Sequence, residues 1–273
     1  MSLSHKRIVF LGAGNMAEAM VKGLIESGAC KSGQVRVTDV SAGRLQYFSD
    51  NFGVQGMSHN RDLVADADVI VLAVKPQVFA EVLQEARPTL NRKALVISIA
   101  AGIPTARIES LLGEGIRVVR TMPNTPALVR KGITGMCAGR WAREDDLKLA
   151  EFILRAVGDV VLVEENKMDA VTAVSGSGPA YVFFLMEAML SAAETLGLSG
   201  ETAWKLVTAT VDGSAELIMK TGDTAADLRK RVTSKGGTTA AALEVLEKKD
   251  VFNTVVDAVL AANRRAHELS SLT

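Results

Sequence analysis

The tripeptide Gly12-Ala13-Gly14 stands between a short apolar run, Ile8–Leu11, and a segment with helical spacing. The chemistry such a junction offers is phosphate binding. A first glycine lets the chain turn sharply out of a strand, and a second lets backbone amides approach a pyrophosphate. The helix that follows points its N-terminal amides at the anion. Ala17 occupies the third position of the G-x-G-x-x-G/A pattern. The ligand implied is NAD or NADP.

Other segments could share that ligand. In open α/β sheets, ligands lie outside the carboxyl ends of the strands. Those ends read Gly12–Met16, Thr38-Asp39, Ala73-Val74-Lys75-Pro76-Gln77, Ser98–Gly102 and Thr121–Pro126, all rich in small residues and proline. Asp39 follows Gly12 by 27 residues. A carboxylate there hydrogen-bonds the ribose 2′-hydroxyl of NAD and repels the 2′-phosphate of NADP. Arg44 is near enough in sequence to restore NADP binding, and Asp39 could equally cap the next helix, so NADH and NADPH both remain open.

Two glycine-rich turns, Ser175-Gly176-Ser177-Gly178-Pro179 and Thr233-Ser234-Lys235-Gly236-Gly237-Thr238-Thr239, each run into a helical segment. Free amides at a helix start, with hydroxyls beside them, make a carboxylate receptor. Gly236 and Gly237 remove side chains that would block close approach. Both turns also read as ordinary interhelical connections with hydroxyl caps.

Much is excluded. Gly176-Ser177-Gly178 lacks the outer glycine of a serine-hydrolase elbow, and neither a phosphate loop of the G-x-x-x-x-G-K-[ST] type nor H-E-x-x-H occurs. Cys30 and Cys137 have no ligand spacing, and His5, His59 and His267 are scattered, so no metal site is expected. Lys+Arg and Asp+Glu balance at 31 each and aromatics are only 4%, which speaks against nucleic acid as a partner. The apolar run after Lys6-Arg7 is too short for a signal peptide. Glu187 and Glu194 interrupt the apolar stretch around Val182, so no membrane segment is expected and the location is read as cytoplasmic.

The elements that must position these residues alternate in the first half. Ile8–Leu11, Val35–Asp39, Val69–Val74, Leu95–Ile99, Arg117–Arg120, Gly135–Ala138 and Val160–Val163 read as strands. The continuous apolar runs Val69–Val74 and Leu95–Ile99 suit parallel strands covered on both faces. Ala17, Met20, Val21, Leu24 and Ile25 stripe one helix face, and a further helix covers Glu144–Ala156. After Glu164 the pattern is helical, with Pro179 opening a long helix that Gly197 ends, and with Ser199, Thr224 and Asp250 as N-caps. The expected α/β architecture is an N-terminal Rossmann-type doubly wound sheet, residues 1–164, with an all-helical C-terminal dimerisation domain, residues 165–273. Its helices carry more apolar surface than a thin layer can bury, hence the expected second copy.

Read in order, Gly-Ala-Gly-Asn-Met-Ala, Ala-Val-Lys-Pro-Gln, Ser-Ile-Ala-Ala-Gly, Arg-Thr-Met-Pro-Asn-Thr-Pro, Ser-Gly-Ser-Gly-Pro-Ala-Tyr and Ser-Lys-Gly-Gly-Thr-Thr resemble the pyrroline-5-carboxylate reductases over nearly the whole chain. The resemblance implies reduction of 1-pyrroline-5-carboxylate to L-proline by NADPH or NADH, the last step of proline biosynthesis. It implies cofactor contacts at Leu11, Gly12, Ala13, Gly14, Asn15, Met16, Asn60, Ala73, Val74, Lys75, Pro76 and Ala100. Asp39 joins them from its place at the second strand. Glu165, Thr238 and Thr239 would lie at the substrate as catalytic residues, with Ser234, Gly236 and Gly237 in the same binding turn. The site would be completed across a homodimer of helical domains, and such dimers can assemble into larger rings. Lys235 departs from the family, many of whose members carry proline there.

Two rival readings exist. A β-hydroxyacid dehydrogenase would need a catalytic lysine in the helical half, for which Lys167 and Lys205 are stand-ins without that family's glycine-rich signature. A non-catalytic dinucleotide-sensing module would bind the cofactor without turnover.

Overall fold

The computed structural model describes residues 3–271. Its first half alternates strands and helices: β1 (Ile8–Leu11), α1 (Asn15–Glu26), β2 (Val35–Thr38), α2 (Ala42–Phe52), β3 (Gln55–Met57), α3 (Arg61–Val64), β4 (Val69–Leu72), α4 (Phe79–Ala86), β5 (Leu95–Ser98), α5 (Thr105–Leu112), β6 (Arg117–Met122), β7 (Gly132–Ala138), α6 (Glu144–Leu154) and β8 (Gly158–Leu162). The strands form one sheet of order β3-β2-β1-β4-β5-β6-β7-β8. Every pair is parallel except β6–β7. That exception has a simple cause. Only a nine-residue link containing the 3₁₀ turn Thr125–Val129 separates β6 from β7, and a parallel crossover needs a dozen or more residues.

Alternation along β1 shows how the sheet is buried. Ile8 and Phe10 point into one apolar cluster with Val37, Met20 and Leu24, while Val9 and Leu11 point into the other with Ile70, Leu72 and Phe79. All four residues of β1, β4 and β5 are buried. The expected doubly wound sheet is therefore present, with helices on both faces. β3, missed in the sequence, adds an edge strand, and its Gly56 lies against Leu45 of α2.

Beyond β8 the chain is helical: α7 (Met168–Val171), α8 (Gly178–Thr195), α9 (Gly200–Thr221), α10 (Ala225–Arg231), α11 (Thr238–Lys248) and α12 (Val251–Ser271). By compactness the chain divides into two units. One runs to Ser177 and takes in the chain again from Ala262; the other is Gly178–Ala261.

Several local signals act as their residue types require. Gly197, at φ 82°, ends α8: its amide bonds the Glu194 carbonyl and the Leu198 amide bonds that of Ala193, a Schellman pattern. Ser199 and Thr224 each accept an amide three residues on, capping α9 and α10. Asp250, at φ 50°, offers its carbonyl to Thr254 and its carboxylate to the Asn253 side chain rather than to a helix amide.

Candidate active site

The strand order reverses between β2 and β4, on either side of β1, and there the carboxyl ends diverge into a cleft. It measures about 780 Å³, and Gly12, Gly14, Asp39, Asn60, Ala73, Val74 and Lys75 line it, all within the sheet-bearing unit. Of the remaining residues expected at the cofactor, Leu11, Ala13 and Ala100 are buried and outside its lining, and Asn15 opens α1. Met16 is half-buried and Pro76 begins a 3₁₀ turn at the end of β4.

The two glycines of the loop serve different ends. Gly12 has φ 103°, and a Cβ on it would sit 2.6 Å from the Ala73 carbonyl oxygen, so the fold itself demands glycine. Gly14 has φ −74°, open to any residue, and a Cβ there would meet nothing within 4 Å. Packing gives no reason for glycine at 14. The empty space lies at the N-terminus of a twelve-residue helix, where unpaired amides favour an anion. These residues fit a bound pyrophosphate.

Two polar systems shape the cleft wall. Thr38 donates to the Asn60 side chain (2.6 Å), and Asn60 in turn donates through its amide nitrogen and side chain to Glu85 (3.1 and 2.5 Å). Asn60 is thus a cross-link between β2 and α4 that faces the cleft. Asp39 accepts the Ala13 amide (2.8 Å) and the Ser41 amide (2.9 Å). It does not cap α2, because Ser41 holds that position and accepts from the Arg44 amide.

Glu165 lies apart from the cleft's lining. Its carboxylate accepts the amide and hydroxyl of Thr105 (both 2.7 Å) and pairs with Arg120 at 3.3 Å. Arg120 is buried, with its other nitrogen 3.8 Å from Asp169, which also meets His267 and Ser270 at 3.3 Å. No local signal marks Thr105, Arg120 or Asp169, since Thr105 and Arg120 lie 60 and 45 residues from Glu165. Burial pushes the nearby Cys137 thiol up to about 12; the charge of Glu165 adds to this and Arg120 opposes it.

The two glycine-rich turns part company. Ser175–Gly178 is not a free turn. Residues Thr172–Gly176 wind as a π-turn between α7 and α8, and the Ser177 amide is already bonded to the Thr172 carbonyl at 2.8 Å. Gly176 packs beside Met122, whose terminal methyl would have to move aside for a Cβ. Ser234–Thr239 does keep the expected form. Gly236 has φ 72°, Gly237 is the N-cap of α11 with Ser234 packed on it, and Thr238 and Thr239 open the helix. An eleven-residue helix so begun leaves its first amides without intrahelical partners.

Residues 165–269 match a family model described as pyrroline-5-carboxylate reductase dimerisation, and residues 7–102 match one described as NADP oxidoreductase coenzyme F420-dependent. A pyrroline-5-carboxylate reductase of Pseudomonas aeruginosa is 44% identical over 269 residues, covering 98% of each chain. The chain belongs to the pyrroline-5-carboxylate reductase family. The solved family member from Coxiella burnetii has 44% identity and a TM-score of 0.90, over 97% of this chain and 98% of that one. The Plasmodium falciparum reductase, solved with NADP bound, has 32% identity and a TM-score of 0.89, over 97% of this chain and 98% of that one.

The dimerisation match covers the helices whose surface needs a partner. Within Gly178–Ala261 the buried apolar side chains are Ala193, Ala203 and Val207 alone among the described residues, while Phe184, Trp204 and Phe252 are each more than half exposed. This supports a homodimer, as the periodicity implied. Helical winding runs on through the π-turn, so Glu165–Thr195 is long and apolar enough to pass for a membrane span by length and composition alone, and the dimerisation match accounts for that apolar surface.

Proposed function

We propose that this protein reduces 1-pyrroline-5-carboxylate to L-proline with NADPH or NADH, the last step of proline biosynthesis. The observation that carries the reading is Gly14, a glycine that neither backbone angle nor packing requires, at the helix start that opens the cleft of a chain 44% identical to a reductase over 269 residues. Bound in that cleft, the nicotinamide cofactor supplies the hydride. Leu11–Met16 hold its pyrophosphate, Asp39, Asn60 and Ala73–Pro76 flank its length, and Ala100 follows the end of β5.

The substrate is a cyclic imine bearing a carboxylate. In its iminium form the ring carbon is electrophilic enough to need no dedicated protein acid, so this chain's residues act by positioning and charge. The amides and hydroxyls of Thr238 and Thr239, made accessible by Ser234, Gly236 and Gly237, take the carboxylate. Glu165, fixed by Thr105 and Arg120, presents a negative group that favours the iminium. The functional division falls at 164/165, with the site completed across the dimer; rings of dimers follow from the family reading and are checked by light scattering. Two buried free thiols support a reducing, cytoplasmic setting.

The test is oxidation of NADH and NADPH with pyrroline-5-carboxylate, beside 3-hydroxyacids in reverse. Thr239→Ala should raise KM for the imine roughly tenfold or more, as losing a hydrogen bond to a charged group does, with cofactor affinity nearly intact. Unchanged KM with weaker cofactor binding rejects the assignment of the turn. Turnover of hydroxyacids alone rejects the reaction.

A further inference from the structure

The two peptide groups that flank Ala13 are each gripped from the segment after β2. Asp39 accepts the Ala13 amide at 2.8 Å, and the Arg44 Nε donates to the Ala13 carbonyl at 2.7 Å. Arg44 is committed further inward. Its Nη2 pairs with Glu18 at 2.7 Å, and its guanidinium lies over the rings of Tyr47 and Phe48 at 4.9 and 5.4 Å. Tyr47 donates to the other oxygen of Glu18, which closes the set. Arg44 therefore does not line the cleft, whereas Asp39 does. The remaining lining is acidic: Asp39, Glu81 and Glu85 against Lys75 as its one cation among the described residues. Val40, which follows Asp39 on this wall, is almost fully exposed and carries no charge.

We propose that Asp39 makes this enzyme select NADH over NADPH, with Arg44 acting as a positioning residue for the glycine loop and not as a phosphate ligand. The inference rests on the reductase reading above and deepens it. The end of β2 is where the adenosine ribose falls in this fold. Each Asp39 oxygen holds one amide and keeps a second lone pair for a ribose hydroxyl. A 2′-phosphate would instead bring its charge against a fixed carboxylate, with the cleft's one lysine, Lys75, placed after β4 and not on the β2 segment. Near a protein surface such a repulsion is worth about tenfold or more in affinity.

Calorimetric titration of the full chain with NAD⁺ and NADP⁺ reads this without turnover. The wild type should bind NAD⁺ at least about tenfold more tightly, as a surface charge pair predicts. Asp39→Asn, which removes the charge and keeps the shape, should close most of that gap. Arg44→Ala should weaken both nucleotides by similar factors and leave their ratio in place. Tighter NADP⁺ binding by the wild type overturns the proposal. So does an Asp39→Asn protein whose two affinities fall together, the mark of a purely structural carboxylate, or an Arg44→Ala protein that loses NADP⁺ alone. Should Asp39→Asn fail to fold, the wild-type ratio and Arg44→Ala still decide. A folded wild type that binds neither nucleotide overturns the reductase reading as well.

Discussion

The sheet-bearing unit and the helical unit Gly178–Ala261 solve the problem of apolar surface in opposite ways. In the first, Phe10, Phe48, Phe79 and the strands around them are sealed between helices, and two apolar clusters fill the two faces of the sheet. In the second, α8 and α9 pack on each other, yet Val182, Phe183, Phe184 and Leu185 form a run of four side chains that all remain exposed. No helix can bury four consecutive residues against one neighbour, because they point all round its axis. One unit carries its own core. The other borrows a core from a second copy, which is why the family match over 165–269 is to a dimerisation model.

The largest effect that would break this contrast is Phe184→Asp. The side chain is 75% exposed in the single chain. Burying a phenylalanine is worth roughly 1.5–3 kcal/mol, and a twofold interface feels each substitution twice. Sedimentation should show dimer affinity weakened by at least a hundredfold, a factor of ten being about 1.4 kcal/mol. A dimer of wild-type strength would mean that the exposed helices are covered by something else.

Within the sheet-bearing unit, the paired substitutions Gly12→Ala and Gly14→Val separate folding from binding. Gly12→Ala places a Cβ against the Ala73 carbonyl at φ 103°, and strain of that kind costs about 1–3 kcal/mol. Thermal denaturation should register it. Gly14→Val meets empty space, so stability should hold while dinucleotide affinity falls. The reverse pattern would remove the argument for a bound pyrophosphate.

The smallest effect concerns the thiols. Cys30 and Cys137 both lie buried in the sheet-bearing unit, and burial raises both above the ordinary thiol value of 9.0. A raised value favours the neutral thiol in the folded state. The unfolded chain then ionises first, so this unit loses stability as pH rises past 9.0, for Cys137 until about 12. At pH 8 native alkylation should be negligible, and Phe184→Asp should leave it so. Fast alkylation in that variant would show that the sheet-bearing unit depends on the dimer after all.

Legibility in the sequence followed the same divide. The buried strands announced themselves as apolar runs, and the reading placed them to within a few residues. β3 did not, because Gln-Gly-Met is three residues long and has no apolar run. Strand direction at β7 was hidden because it depends on the length of a link, not on residue type. The loop glycines were legible as a phosphate turn, but the partners of Ala13 were not. Nothing local marks Arg44 as turned inward, and Glu165 finds Thr105 and Arg120 across 60 and 45 residues. The π-turn at Thr172–Gly176 carries no local signature, because Ser175 and Gly176 suit a loop equally well.

In the proposed reductase a dinucleotide crosses the ends of β1, β2 and β4 while the start of α11 holds a small carboxylate. A crystal structure of the dimer with NAD⁺ and proline tests it most directly. Pyrophosphate should lie at the Gly14 end of α1 and the proline carboxylate on the amides of Thr238 and Thr239. Density for either molecule elsewhere, with both turns empty, would contradict it.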